Sequence, residues 1–186
     1  MSKTSSRGED PGLQFMHRRI RQLLEKREHQ HVVTWCTSLI ARFPKLAILY
    51  RHRAEAQHLL ERDQQALHDI DIAVRLAPQE PAHLFRRATW RLELGAYERT
   101  VADLTATMHL EEQLGASRYS TSARCLRALA QIMLGHFDEA KRDVERLPPD
   151  SREFARGRVW TASALTRCIA TKRRPTHLFK NERAPS

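Results

Sequence analysis

The stretch AILYRHRAEAQHLLERDQQALHDIDIAVRLAP, residues 47–78, decides the fold. Its apolar residues Ala66, Leu67, Ile70, Ala73, Val74 and Leu76 recur three and four positions apart, the spacing of one face of an α-helix. Glu61-Arg62-Asp63 interrupts the run, so the stretch reads as two helices joined by a tight turn. Asp63 places a carboxylate where a helix N-terminus favours one. Pro78 follows the second helix, where a missing N–H costs little.

The pattern returns after 34 residues in AHLFRRATWRLELGAYERTVADLTATMHLE, residues 82–111. Arg53 then falls on Arg87, Ala54 on Ala88, Leu60 on Leu94, Ile70 on Leu104 and Leu76 on Leu110. The same step backwards sets Pro78 on Pro44, Ala66 on Val32 and Arg53 on Arg19. Forwards, after a six-residue insertion at Gly115–Ser120, it reaches RALAQIMLGHFDEA, residues 127–140. Four units result, at about 13–46, 47–80, 81–114 and 121–150. Their turns lie at Glu61-Arg62-Asp63, Gly95-Ala96 and Gly135-His136, the glycines suiting a left-handed helix end. The insertion implies a longer second helix or an irregular loop. Pro148-Pro149-Asp150-Ser151 ends the eighth helix and starts a ninth, at 151–171. One helical pair cannot bury its apolar face alone, but stacked pairs can, and the last needs a cap. The predicted ninth helix, with Phe154, Val159, Trp160, Ala164 and Leu165 among arginines, is that cap. Residues 1–12 are expected to be a flexible N-terminus and 173–186 a basic tail.

Composition agrees. The 186 residues carry a formal charge of +10, 41% hydrophobic residues, and only 6 Gly and 8 Pro. No apolar run approaches a membrane span, and few turn formers disfavour an all-β fold. Residues 152–186 supply +7 of the charge, leaving the body nearly neutral. Cys36, Cys125 and Cys168 are odd in number and far apart, so neither framework disulfides nor a cysteine zinc site is expected. With no apolar export signal at the N-terminus, a reducing cytoplasm is the expected compartment.

Chemistry-bearing motifs do not emerge. There is no Gly-rich phosphate loop, nucleophile elbow or His-Glu-x-x-His. His29-x-His31, His52 with His58, and His68-Asp69 do not force ligands onto one point. We therefore expect no metal, no cofactor and no enzyme activity. Arg19, Arg53, Arg87 and Arg127 recur at one place in every unit, and we read them as serving packing and ion pairs.

On the strings quoted above, the chain resembles the tetratricopeptide repeat (TPR) family over about 13–150. Ala54 and Ala88, with Ala66, Ala73 and Ala140, take the positions where that family packs its two helices closely. Thr100 and Thr107 replace expected alanines and should loosen the third unit slightly. The resemblance implies an all-α, right-handed superhelix of four helix-turn-helix repeats with a C-terminal capping helix. It also implies a concave groove lined by the first helix of each repeat. Here that groove comprises His17 and Arg21, then Arg51, His52, Glu55 and His58, then Phe85, Arg86 and Thr89, then Leu126, Leu129 and Met133. It runs from basic to apolar. Its apolar end, with Ile132, needs a cover: a partner helix, a second copy in a homodimer, neighbouring helices, or the tail through Leu178 and Phe179.

Three functions compete. The favoured one is a non-enzymatic adaptor or scaffold that binds an acidic partner peptide or helix in the groove. A dedicated chaperone or neutralising partner of one secreted or toxic protein is a subtype of it. Nucleic-acid binding through the basic C-terminal end is the third, but the recurring polar pair of helical-repeat RNA readers is missing. A membrane partner is not expected.

Overall fold

A computed structural model of the protein describes residues 11–155 and 158–175. The chain forms two compact units, Met1–Leu76 and Ala77–Ser186.

The first unit holds α1 (Pro11–Glu25), α2 (His29–Arg42), α3 (Ala47–Leu59) and α4 (Asp63–Leu76). Each helix packs on the next, giving two stacked helix-turn-helix hairpins. Ile20, Leu23, Val32, Cys36 and Ala56 form one core cluster there, and Leu49, Ala66, Ile70 and Ala73 are buried as well. The second unit holds α5 (Pro81–Glu93), α6 (Tyr97–Leu114), α7 (Ser120–Leu134) and α8 (Phe137–Val144) in the same arrangement. The expected all-α helical-repeat architecture is therefore the one observed.

The repeats close through small residues. Ala54, Ala88 and Ala128 on the first helices, and Ala66 and Ala140 on the second, are fully buried. Thr100 and Thr107, which replace expected alanines, are fully buried. Each hydroxyl donates to the carbonyl four residues back, Ala96 at 2.9 Å and Asp103 at 2.8 Å, so no polar group is stranded.

The turn between the helices of each hairpin uses one left-handed residue in register: Arg27 (φ 59°), Glu61 (60°), Gly95 (80°) and Gly135 (87°). The first two repeats thus hold a strained non-glycine backbone where the later two have glycine.

The recurring arginines act as clamps. Arg53, Arg87 and Arg127 each donate through Nε and Nη2 to a carboxylate sixteen residues on, Asp69, Asp103 and Asp143, at 2.7–2.9 Å. These carboxylates are buried on the second helix of the same hairpin. A third arm reaches the preceding helix: Arg53 Nη1 to Thr37 Oγ1 at 3.1 Å, Arg127 Nη1 to Thr105 Oγ1 at 2.9 Å. One guanidinium fork therefore ties three helices. Arg19 has Trp35 at the corresponding place.

The insertion is both a longer helix and a loop. α6 runs 18 residues and ends on left-handed Gly115. Glu111, buried on α6, accepts the Tyr119 amide at 2.8 Å and so fixes the start of α7.

The expected helix over 151–171 is corrected. Residues Arg152–Ala155 form β1 and Arg158–Thr161 form β2, an antiparallel pair in which Arg152 faces Thr161 and Ala155 faces Arg158. The helix that follows, α9, spans only Ala162–Thr171 and is capped by the Thr161 hydroxyl. The reason lies in the spacing: Phe154, Val159 and Trp160 do not recur at three or four, and Val159-Trp160-Thr161 is a β-branched and aromatic run. The capping role survives in altered form, because Trp160 and Leu165 are buried in the second unit's core while Val159 is exposed. The Phe154 side chain lies outside the described residues.

At the ends, α1 already begins at Pro11, inside the segment expected to be flexible; residues 1–10 lie outside the described ones. Of the basic tail, Arg173–Pro175 are described. Arg174 Nη2 donates to the Leu134 carbonyl at 3.1 Å, placing a cation at the C-terminus of α7. Leu178 and Phe179 lie outside the described residues. Among the described residues no helix is long and apolar enough to cross a membrane.

Candidate functional site

In the repeat register, the groove positions align as columns of equivalent sequence positions on the first helices. His17, Arg51, Phe85 and Cys125 make one, Arg18, His52, Arg86 and Leu126 a second, and Arg21, Glu55, Thr89 and Leu129 a third. Chemistry changes along the columns from charged and polar in the first two repeats to apolar in the fourth.

In the first unit the columns are polar. The His17 and His52 rings meet edge to face with centroids 5.0 Å apart, so these residues of α1 and α3 come together. Arg51 Nη2 stands 3.3 Å from His52 Nε2. Arg51 also stands 3.8 Å from Glu55, one helical turn on. His52 is buried, Arg51 and Glu55 keep 20% and 26% of their side chains exposed, and Arg21 is exposed. His58 turns away towards the hairpin turn, with Nδ1 3.0 Å from Asp63.

In the fourth repeat the columns are covered, while Phe85, Arg86 and Thr89 of the third are half-buried. Leu126 and Leu129 are 2% and 0% exposed, in one core with Ala155, Trp160 and Leu165. They are therefore core residues, and their place in the expected groove is corrected. The cover is the chain itself, because β1 packs on α5 and α7. Ser122 on α7 hydrogen-bonds Glu153 of β1, and Trp160 Nε1 donates to the Ala155 carbonyl at 3.2 Å, locking the hairpin. Met133 stays half-buried. Phe85 stacks on Tyr119 of the insertion loop with centroids 4.8 Å apart, and the Arg118 guanidinium lies 5.4 Å from the Tyr119 ring centroid. Thr89 Oγ1 donates to the Arg86 carbonyl at 2.7 Å, so that hydroxyl serves its own helix. Tyr119 and Arg118 escaped the sequence reading; the insertion itself was their signal.

Nucleophilic chemistry finds little purchase. Burial pushes the Cys36 and Cys125 thiols up to about 12, and raises Cys168 as well. Such thiols hold almost no thiolate at neutral pH. Among the described residues no group of three or more His, Cys, Asp or Glu is placed to hold a metal ion.

No family model matches the sequence, and no curated protein does. Among solved structures, the TPR2B domain of yeast Sti1, determined as a complex with pHsp70, superposes with a TM-score of 0.56 at 20% identity. The match covers 66% of this chain and 90% of the yeast domain. The fold of this chain is thus the helical-repeat fold of a tetratricopeptide repeat domain.

Proposed function

We propose that this chain is a non-enzymatic protein-interaction module whose partner, an acidic peptide or helix, docks on the α1–α3 face of the first unit. The observation that carries this is the contrast along the columns. The same positions that become buried Leu126 and Leu129 in the fourth repeat are Arg18, Arg21, His52 and Glu55 in the first two. A core does not need arginines there, but a surface that recognises carboxylates does. His17, Arg21, Arg51, His52 and Glu55 form the proposed contact set, all of it within the first unit; Arg86 and Thr89, expected beside them, lie in the second unit and are not part of it. The yeast domain that shares the fold was solved with a protein ligand, which favours a protein over a nucleic acid here. The nucleic-acid reading depends on a C-terminal segment that lies outside the described residues from 176 onward, and no observation favours the dedicated-chaperone reading. The cytoplasm remains the proposed compartment.

The test is fluorescence anisotropy of a panel of acidic and neutral helical peptides. Acidic peptides should bind the wild type, and Arg21→Glu with Arg51→Glu should weaken them by at least about tenfold, one charge-assisted contact's worth. Undiminished binding by that variant, with its circular dichroism unchanged, refutes the face.

A further inference from the structure

A second feature of the second unit is independent of the α1–α3 face. The long α6 and the loop after Gly115 leave a cleft of about 490 Å³ between α6, the start of α7 and the segment beyond α8. Thr105, Met108 and Glu112 line it from α6, and Arg124, Arg127 and Arg146 from α7 and the segment after α8.

The arginines are unequally engaged. Arg127 is fixed by both oxygens of Asp143 and by Thr105 Oγ1. Arg124 Nη1 stands 3.7 Å from the same carboxylate, too far for a hydrogen bond. Arg146 makes no ion pair among the described residues and is exposed. Asp143 is buried and already holds two guanidinium N–H groups, so it neutralises about one of the three cations. Glu112, exposed on the cleft's wall, is the other carboxylate there.

The geometry points to an oxyanion site in this cleft that takes a phosphate group, free or carried on a phosphorylated side chain. Arg124 and Arg146 supply the grip, and Arg127 with Thr105 forms the fixed wall behind them. Guanidinium forks match phosphate oxygens in pairs and stay charged at every working pH. One fork satisfies a carboxylate; two beyond the Asp143-bound one suit a dianion. Ala116 and Ser120 of the insertion that breaks the repeat period also line this space.

The full chain is titrated with inorganic phosphate at constant ionic strength made up with chloride, following the arginine side-chain resonances by NMR. A parallel arm uses a short neutral peptide bearing one phosphoserine, against its unphosphorylated twin. Saturable binding is expected. Arg124→Ala and Arg146→Ala should each weaken it, and together by at least about tenfold. Glu112→Gln should tighten it about twofold by removing a repelling charge. Arg142→Ala, an exposed α8 residue paired with Glu139, should change nothing. Tighter binding of the phosphopeptide than of phosphate assigns the group to a phosphorylated side chain, and the reverse to the free ion. A non-saturating response, equal affinity in the double variant, or weaker binding in Glu112→Gln overturns the site.

Discussion

Replacing Arg127 by alanine tests what holds each repeat together. Asp143 is 2% exposed and takes Arg127 Nε–H at 2.8 Å and Nη2–H at 2.7 Å. Without Arg127 its nearest remaining cation is Arg124 at 3.7 Å, beyond hydrogen-bond reach. Breaking one side of a buried pair costs about 3–5 kcal/mol. Arg127 keeps 18% of its side chain exposed, so water reaches the gap and the cost falls at the low end, about 3 kcal/mol. For a chain of this length that lowers Tm by about 6–12 °C. Asp143→Asn keeps the shape and loses the charge, at about 1.5–3 kcal/mol. Arg127→Ala with Asp143→Asn removes both charges and should cost less than those two single changes summed, with a coupling of at least about 1.5 kcal/mol. Urea unfolding in a Trp35→Phe background reads the second unit through Trp90 and Trp160, and the cycle follows from its midpoints. Arg19→Ala, which has Trp35 rather than an acid at the matching place, should stay within about 0.5 kcal/mol. An Arg127→Ala loss under about 0.5 kcal/mol, the value of an exposed pair, would refute the clamp.

Glu61→Gly relieves a left-handed residue at φ 60° and should stabilise by about 1 kcal/mol, read as a higher urea midpoint. Gly135→Ala should do the reverse, because its φ is 87° and the new Cβ would meet Arg174 Nη2 at 2.9 Å. Trp160→Ala removes the hairpin's anchor and should cost about 3–5 kcal/mol, with new binding of an apolar dye as Leu126 and Leu129 lose cover. The thiols of Cys36 and Cys125 should resist a disulfide reagent at pH 8 in the native state, leaving Cys168 as the one that reacts, and all three should react in urea. Because burial raises the first two to about 12 from 9.0, their contribution to stability is complete below pH 9 and drains away as pH climbs towards 12.

The repeats were legible because close helix packing demands small residues at fixed places, and Ala54, Ala88 and Ala128 keep that register across the insertion. The arginine ladder was legible too, and so was its dull purpose. Its partners were missed although Asp69, Asp103 and Asp143 each stand sixteen residues on. That spacing means contact only once the hairpin angle is known. Arg27 and Glu61 sit in register with Gly95 and Gly135, but side-chain identity hid their backbone conformation. The β1–β2 hairpin is hidden in the sequence because the 162–171 segment that follows is a true helix, whose periodicity Phe154, Val159 and Trp160 do not share. This carries into the site. Leu126 and Leu129 stand on a first helix at groove positions of the repeat, but what covers them comes from about thirty residues further on, through a packing that helix periodicity does not encode.

The most direct measurement of the central claim is amide shift mapping of the full chain with an acidic helical peptide. The account predicts perturbed resonances gathered on α1 and α3 around His17, Arg21, Arg51 and Glu55, with β1 and the Leu126–Leu129 turn of α7 silent. Shifts centred on α7 and β1, or none at saturating peptide, would contradict it.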